Sequence, residues 1–117
     1  MSKLSGHFDR DEFACKCGCG FNTVDVELLN ICEYVRMING GKPLTPNSAC
    51  RCKPHNNFVG GSQGSQHLLG RAADLPVDDP KEVYDKLCER FPGQYGFGLY
   101  ETFIHVDSRS KKARWLG

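Results

Sequence analysis

The sequence predicts a small α+β domain with a central antiparallel sheet and two main helices. Its 117 residues fit one compact domain, which we expect to span residues 1–117. Two segments repeat apolar residues at helical spacing, and other short segments have the residue pattern and flanking turns of strands. Their order is helix, strand, strand, helix and hairpin, which is typical of helices packed on an antiparallel sheet.

Both predicted helices have clear boundary signals. The first covers residues 25–39, where Asn22 or Thr23 can cap the start and a Gly-Gly pair ends the helix. The second opens at Asp79 and Pro80, an N-cap followed by proline at the first helical position, and a Pro-Gly pair closes it. The apolar positions that define the two helical faces are Val26, Leu29, Cys32, Val35, Ile38, Val83, Leu87, Cys88 and Phe91.

The strand signals are shorter. Predicted strands cover residues 44–51, 71–77, 96–100 and 103–107. The first contains Pro46, which can delay its start because proline has no N–H to donate. A tight turn near Glu101 joins the last two strands as a hairpin. The other segments are an irregular cysteine-rich start, a loop rich in glycine, asparagine and serine, and a basic tail with one tryptophan, at residues 1–22, 53–66 and 110–117.

Composition argues against several classes of function. The net charge is +1 and 25% of the residues are charged, so neither a nucleic-acid nor a membrane partner is expected. No apolar run approaches the roughly 20 residues that span a bilayer. The opening MSKLSGHFDRDEF lacks the apolar core of a secretion signal. We therefore expect a monomeric protein that is made in the cytoplasm.

The chain has seven cysteines, a high count for its length, and an odd number cannot all pair within one chain. Without a secretion signal we expect them to be reduced when made. Five lie in C-x-C patterns: Cys15, Cys17, Cys19, Cys50 and Cys52. A second, structural metal or a pair of disulfides could join them, but zinc sites usually have C-x2–4-C spacing, so free thiols are favoured. Cys32 and Cys88 lie on apolar helix faces and are expected in the core.

A candidate metal site emerges from three residues that are distant in sequence: His67, Asp74 and His105. Asp74 stands among alanines and a leucine, where a carboxylate without a cation or donors is costly. His105 lies in FIHVD, again a polar group in an apolar strand. Two histidines and one carboxylate, with a fourth position left to water, form the pattern of a catalytic zinc site, whereas a structural site would be closed by four Cys or His ligands.

Strand alternation adds a further carboxylate to this site. His105 and Asp107 are two residues apart in a predicted strand and therefore share a face. Asp107 could act as the general base toward water, or it could orient a metal ligand. A salt bridge to Arg109 is the purely structural alternative. Glu101, in the preceding turn, is the other candidate base.

These motifs resemble those of the zinc D-alanyl-D-alanine carboxypeptidases and endopeptidases of bacteria and phages. Their superfamily also includes D-Ala-D-Ala dipeptidases and the hedgehog signalling fold. The matching segments are SQHLLGRAAD, with the pattern SxHxxGxAxD, GFGLYETFIHVDSR, SACRCKPHN, with the pattern SxxRxxxHN, and EFACKCG. The resemblance spans most of the chain, roughly residues 8–115.

The resemblance implies one catalytic Zn2+ bound by His67, Asp74 and His105, on the sheet. It also implies that Arg51 contacts the substrate carboxylate or the carbonyl oxygen of the scissile bond, where a positive group stabilises developing negative charge. His55 would help to hold the loop rather than bind the metal.

The chain departs from the family pattern next to the last ligand. Many relatives have an acidic residue or a histidine two or three residues before that ligand, where this chain has Phe103 and Thr102. For this reason Asp107 is the favoured base.

The function implied is hydrolysis of stem-peptide or cross-link bonds in peptidoglycan, foremost as a D,D-carboxypeptidase or endopeptidase. A phage lysin, a virion-associated enzyme bound to phage or tail proteins, and a bacterial protein acting on the cell wall or in the periplasm are all compatible with this. The alternative is a catalytically weak or inactive module of the same fold that binds the cell wall or serves as a virion component.

Overall fold

The computed structural model of the chain describes residues 8, 13–15, 25–42, 44–47, 49, 56, 59 and 71–117. Its helices are α1 (Val26–Ile38) and α2 (Pro80–Arg90). Its strands are β1 (Ala72–Pro76), β2 (Gly96–Leu99), β3 (Phe103–Asp107) and β4 (Ala113–Leu116). The α+β class is as predicted.

The sheet is mixed, and the prediction of an antiparallel sheet is wrong in this respect. The strand order is β1-β3-β2-β4; β3 is antiparallel to both β1 and β2, whereas β4 is parallel to β2. The position of the end of β3 explains why β4 is parallel to β2. Asp107 pairs with Gly96 at the start of β2, and Ala113 pairs with Gly96 from the other side. The short loop 108–112 therefore only has to cross the end of β2, and β4 leaves in the direction of β2.

Strand β4 lies in the segment that was predicted to be a basic tail. One of its positive residues binds within the protein: the Arg114 guanidinium donates to the carbonyls of Phe91 at 2.6 Å and Tyr95 at 2.7 Å. Tyr95 has a left-handed φ of 66°, and its carbonyl also accepts the N–H of Ala113 at 3.0 Å. These bonds hold the four-residue strand against the turn between α2 and β2. The pattern of charges in the sequence does not indicate this contact.

The predicted strand over residues 44–51 is also wrong where it can be checked. Residues 44–47 and 49 are described, and none of them is in a strand. The segment runs beside β1 at one point, where the N–H of Asn47 donates to the carbonyl of Asp74 at 2.8 Å. Pro46, which precedes it, cannot donate to a ladder, so regular pairing does not extend through it.

The start of α1 is set by Asp25 rather than by Asn22 or Thr23, which lie outside the described residues. The Asp25 side chain accepts the N–H of Leu28 at 3.3 Å, the usual bond of an N-cap. Its carboxylate also accepts the hydroxyl of Ser108 at 2.7 Å, which joins the helix start to the loop after β3. The predicted Gly-Gly pair follows the helix with φ values of 82° and 69°, a conformation that favours glycine.

Both helices pack against one face of the sheet, and the core lies between them. Its buried residues from the helices and the sheet include Leu28, Ile31, Cys32, Val35, Val83, Leu87, Ala73, Leu75, Phe97, Ile104 and Val106. Side chains alternate along a strand, so the residues between these point to the opposite face. Neither helix is long and apolar enough to cross a membrane, within the residues described.

Among the described cysteines, Cys32 and Cys88 are free thiols, and Cys15 is buried. Cys32 is fully buried and Cys88 is partly buried against the core, as their places on the helix faces predict. The other four cysteines of the C-x-C patterns, Cys17, Cys19, Cys50 and Cys52, lie outside the described residues, so the structural metal or disulfides considered for them stay a prediction.

Candidate metal centre

One row of residues crosses all four strands on the face of the sheet that points away from the helices. In the register of the sheet, Asp74 of β1 pairs with His105 of β3, His105 pairs with Gly98 of β2, and Gly98 pairs with Trp115 of β4. Asp74 and His105, separated by 30 intervening positions in the sequence, thus become direct neighbours. The fold brings together two of the three predicted metal ligands.

The His105 imidazole is held at both of its nitrogens. Nδ1 lies 3.0 Å from Oδ1 of Asp74, and Nε2 lies 2.8 Å from Oδ2 of Asp107. The side chain is nearly buried, and burial by itself disfavours the charged imidazolium. The hydrogen bonds to Asp107 and Asp74 outweigh burial and raise the pKa of His105 above its usual value.

Asp107 is fully buried, and its two oxygens are engaged by Arg109 as well as by His105. Arg109 donates from Nε to Oδ1 at 2.8 Å and from Nη2 to Oδ2 at 2.7 Å. Burial alone would raise the pKa of the Asp107 carboxyl, but the hydrogen bonds from His105 and Arg109 lower it to about 2. Such a carboxylate is a weak proton acceptor at neutral pH, and its geometry suits the orientation of His105 better than general-base chemistry.

Two glycines of β2 make room for this arrangement. A Cβ atom on Gly96 would lie 2.7 Å from Nε of Arg109 and would collide with the Asp107 carboxylate. A Cβ atom on Gly98 would lie 2.8 Å from Cζ2 of Trp115. Because glycine carries no side chain, the Asp107–Arg109 ion pair and the Trp115 indole can lie directly over the β2 backbone.

Trp115 is the residue of this site that sequence reasoning missed. Its ring lies 5.0 Å from the His105 ring between centroids, tilted by 50°. Its Nε1–H donates to the hydroxyl of Tyr100 at 3.0 Å, and the Arg109 guanidinium carbon lies 5.3 Å from its ring centroid. The sequence signal that could have indicated it is ARWL read as a strand. In a strand every second side chain shares a face, and the pairing of β4 with β2 places Trp115 on the face of the site.

The donor set and its spacing fit a zinc ion. Zinc accepts His nitrogen and Asp oxygen at about 2.0–2.1 Å, so two ligand atoms of a tetrahedral site lie about 3.3–3.4 Å apart. The 3.0 Å between Nδ1 of His105 and Oδ1 of Asp74 is within a few tenths of this spacing. The bond from Nε2 to Asp107 matches the carboxylate–histidine pair that usually stands behind a metal-bound histidine.

The other predicted site residues are His67, Arg51, His55 and Glu101. The first three lie outside the described residues. Within the described ranges, no three His, Cys, Asp or Glu residues form a group that could hold a metal. Glu101 is described: it is exposed in the turn between β2 and β3 and lines an open groove of about 410 Å³ with Leu99. No hydrogen bond joins Glu101 to another described residue, so its role as base stays a prediction.

The comparisons with known proteins agree with the motifs. Residues 6–107 match the model of a family described as peptidase M15. A search of the curated proteins finds no match. The matched range contains every predicted ligand and most of the sheet. Peptidases M15 are zinc-dependent in general, and membership implies a metallopeptidase. Because the match covers most of its length, the chain belongs to the peptidase M15 family, the family of the zinc D-Ala-D-Ala carboxypeptidases.

Proposed function

We propose that this protein is a zinc-dependent hydrolase of peptide bonds in peptidoglycan, cutting the D,D bond of a stem peptide or a cross-link. The observation that carries the proposal is the pair of Asp74 and His105, whose ligand atoms are 3.0 Å apart. Asp107 holds the far nitrogen of His105 at 2.8 Å. A nitrogen and an oxygen donor on a rigid sheet, with a buried carboxylate behind the imidazole, suit a catalytic zinc site.

In this proposal Asp74, His105 and His67 hold the ion. When bound, zinc supplies Lewis-acid chemistry that activates water and polarises the carbonyl of the scissile bond. Asp107 accepts the Nε2–H of His105, which keeps the proton on that nitrogen and leaves the lone pair of Nδ1 on the Asp74 side. Arg51 binds the substrate carboxylate or stabilises negative charge that develops on the carbonyl oxygen.

For proton transfer, Glu101 is the better of the two candidate bases. Both oxygens of Asp107 accept bonds from Arg109, and its pKa of about 2 leaves little affinity for a proton near neutral pH. Glu101 is exposed on the hairpin that carries His105, so its carboxylate is open to water. Glu101 would take a proton from water and return it to the leaving amine.

The choice of D,D bond and the setting are inferred from the motif resemblance alone. The D,D assignment follows the segments SQHLLGRAAD and FIHVD. We further propose a monomer that acts on the cell wall after release from the cytoplasm, as a phage lysin or virion component does, or as a bacterial wall enzyme. Muropeptide products identify the bond, whatever the setting.

The test is digestion of purified cell-wall sacculi by the zinc-loaded full chain, with mass spectrometry of the released muropeptides. We expect loss of terminal D-alanine or opening of cross-links, and loss of all activity with a chelator. Asp74→Asn and His105→Ala should abolish turnover. Asp78→Asn is the matched control, because Asp78 is an exposed carboxylate that pairs with Lys42 away from the site.

The same experiment separates the enzyme from a binding module. A wild-type protein that binds zinc and sacculi but releases no muropeptide would favour the wall-binding or virion component. Turnover that survives His105→Ala would refute the metal centre itself.

A further inference from the structure

We propose that Trp115 is a positioning residue of the metal centre, which fixes the plane of the His105 imidazole and keeps Arg109 on Asp107. This inference rests on the proposed function, because it assigns a role toward the proposed metal ligand. It goes beyond that function by making the C-terminal strand β4, which lies past the end of the family match at residue 107, a part of the site.

The bonds to the His105 nitrogens do not prevent the imidazole ring plane from tilting. The contacts of Nδ1 with Asp74 and of Nε2 with Asp107 are both made at the edge of the ring. They resist rotation within the ring plane but only weakly resist tilting of that plane. A metal ligand must hold its lone pair in the direction of the ion, so the tilt has to be restrained by a contact on the ring face. The indole of Trp115, 5.0 Å away, makes such a contact.

Trp115 also contacts Arg109, the residue that binds the Asp107 carboxylate. Arg109 binds Asp107 through two nitrogens, and its guanidinium lies 5.3 Å from the indole centroid, within the range of a cation–π contact. The Arg109 side chain is one-third exposed, so water competes for it. The indole lowers this competition, and the Asp107 carboxylate stays paired and directed at Nε2.

The indole is itself fixed from two sides. Its Nε1–H donates to the Tyr100 hydroxyl at 3.0 Å, and the absent side chain of Gly98 leaves room for it beside the β2 backbone. If Trp115 only filled space, a large aliphatic side chain would replace it. A positioning residue instead needs a flat ring, so phenylalanine should rescue what leucine loses.

The experiment uses the full chain with Trp115→Leu and Trp115→Phe, and with Leu116→Ala as the matched control. Leu116 is the next residue of β4, points to the other face and is 76% exposed. Zinc affinity is measured by competition with a chromophoric chelator. We expect Trp115→Leu to weaken zinc binding by roughly 10–100-fold, the usual loss when a residue that supports a metal ligand is removed. Trp115→Phe should recover most of the affinity, and Leu116→Ala should keep all of it.

A second readout needs no metal. Nitrogen-15 NMR of the His105 side chain in the metal-free protein reports how firmly its ring N–H groups are held against Asp74 and Asp107. Wild type should show ring N–H protons that exchange slowly with water, and Trp115→Leu should show faster exchange. Gly98→Ala, whose added Cβ displaces the indole, should reproduce both effects, and it replaces Trp115→Leu if that variant does not fold.

The outcomes are distinct. A folded Trp115→Leu or Gly98→Ala protein that binds zinc as tightly as wild type, with unchanged exchange of the His105 ring N–H protons, overturns the positioning role and leaves the proposed function standing. A wild-type protein that binds no zinc overturns the proposed function and this inference with it. Equal losses in the leucine and phenylalanine variants also overturn the role, because a flat ring would then not be what is required.

Discussion

Replacement of Asp107 by asparagine should weaken zinc binding and lower the free energy of unfolding together. The asparagine has nearly the same shape as aspartate, so packing around it is retained. It loses the charge, and one of its two polar atoms becomes a donor that faces Arg109 or His105. The variant therefore perturbs the bonds that orient His105 without opening a cavity.

The size of the effect follows from the contacts of the carboxylate. Asp107 makes one side-chain bond with His105 and two with Arg109. A hydrogen bond to a charged group is worth about 1.5–3 kcal/mol when it is not replaced by water. Arg109 is one-third exposed and can be solvated again, so its share is discounted. We expect a net loss of about 2–3 kcal/mol in unfolding free energy, and a loss of roughly 10–100-fold in zinc affinity.

Urea denaturation of the metal-free and the zinc-loaded protein measures both quantities. At a fixed excess of zinc, each tenfold loss of affinity removes about 1.4 kcal/mol from the stabilisation by the ion. Asp78→Asn should change neither value by a comparable amount. If Asp107→Asn binds zinc like wild type, Asp107 does not orient the ligand, even if stability falls. If both values stay unchanged, the whole reading of the buried ion pair is refuted.

Three further predictions concern the surroundings of the site and the core. Arg114→Lys should lower the unfolding free energy by about 1–3 kcal/mol in urea denaturation, because an ammonium cannot reach the four carbonyls that the guanidinium bonds. Gly96→Ala should weaken zinc binding by roughly tenfold in chelator competition, because its Cβ would displace the Asp107 carboxylate. The Cys32 thiol, whose pKa is raised by burial and then by the charge of Glu33, should be alkylated only on unfolding, as mass spectrometry of the iodoacetamide-treated native protein can show.

Each of these has its own contrary result. A lysine variant as stable as wild type would mean that the carbonyls around β4 are as well satisfied by water. Unchanged zinc binding in Gly96→Ala would mean that the ion pair can shift without cost to the ligand. Fast alkylation of Cys32 in the native protein would mean that α1 opens locally, and Cys88, which is partly exposed, is the internal reference.

The sequence predicted best where a local signal and the tertiary structure agree. At the start of α2, Asp79 accepts the N–H of Glu82 at 3.1 Å and Pro80 occupies the first helical turn. At β3, the bounds are the predicted residues 103–107. The pairing of Asp74 with His105 was also predictable, because each is a polar residue in an otherwise apolar strand. Their meeting requires only that both strands place the polar position on one face.

Prediction failed where a residue's role depends on which strand lies beside it. The sequence predicts that Trp115 is part of a basic tail, because neighbouring lysines and arginines dominate the pattern. Only the parallel pairing of β4 with β2 brings its indole to His105. The role of Asp107 as base stays a prediction, because the sequence alone does not show whether Asp107 and Arg109 form an ion pair, as they do here, or face solvent.

The two glycines of β2 explain why the mixed sheet and the candidate site belong together. On the site face, an inner strand with side chains at positions 96 and 98 would separate β4 from β3 by a layer of atoms. With glycine at both positions, residues from β3 and β4 meet directly above the β2 backbone, and the ion pair of Asp107 can lie in the same layer. Glycine weakens a strand interior through the entropy lost on folding. In β2 glycine occurs at the two positions where a side chain would collide with the site residues. The geometry of the metal centre therefore depends on the pairing of the strands as much as on the metal ligands.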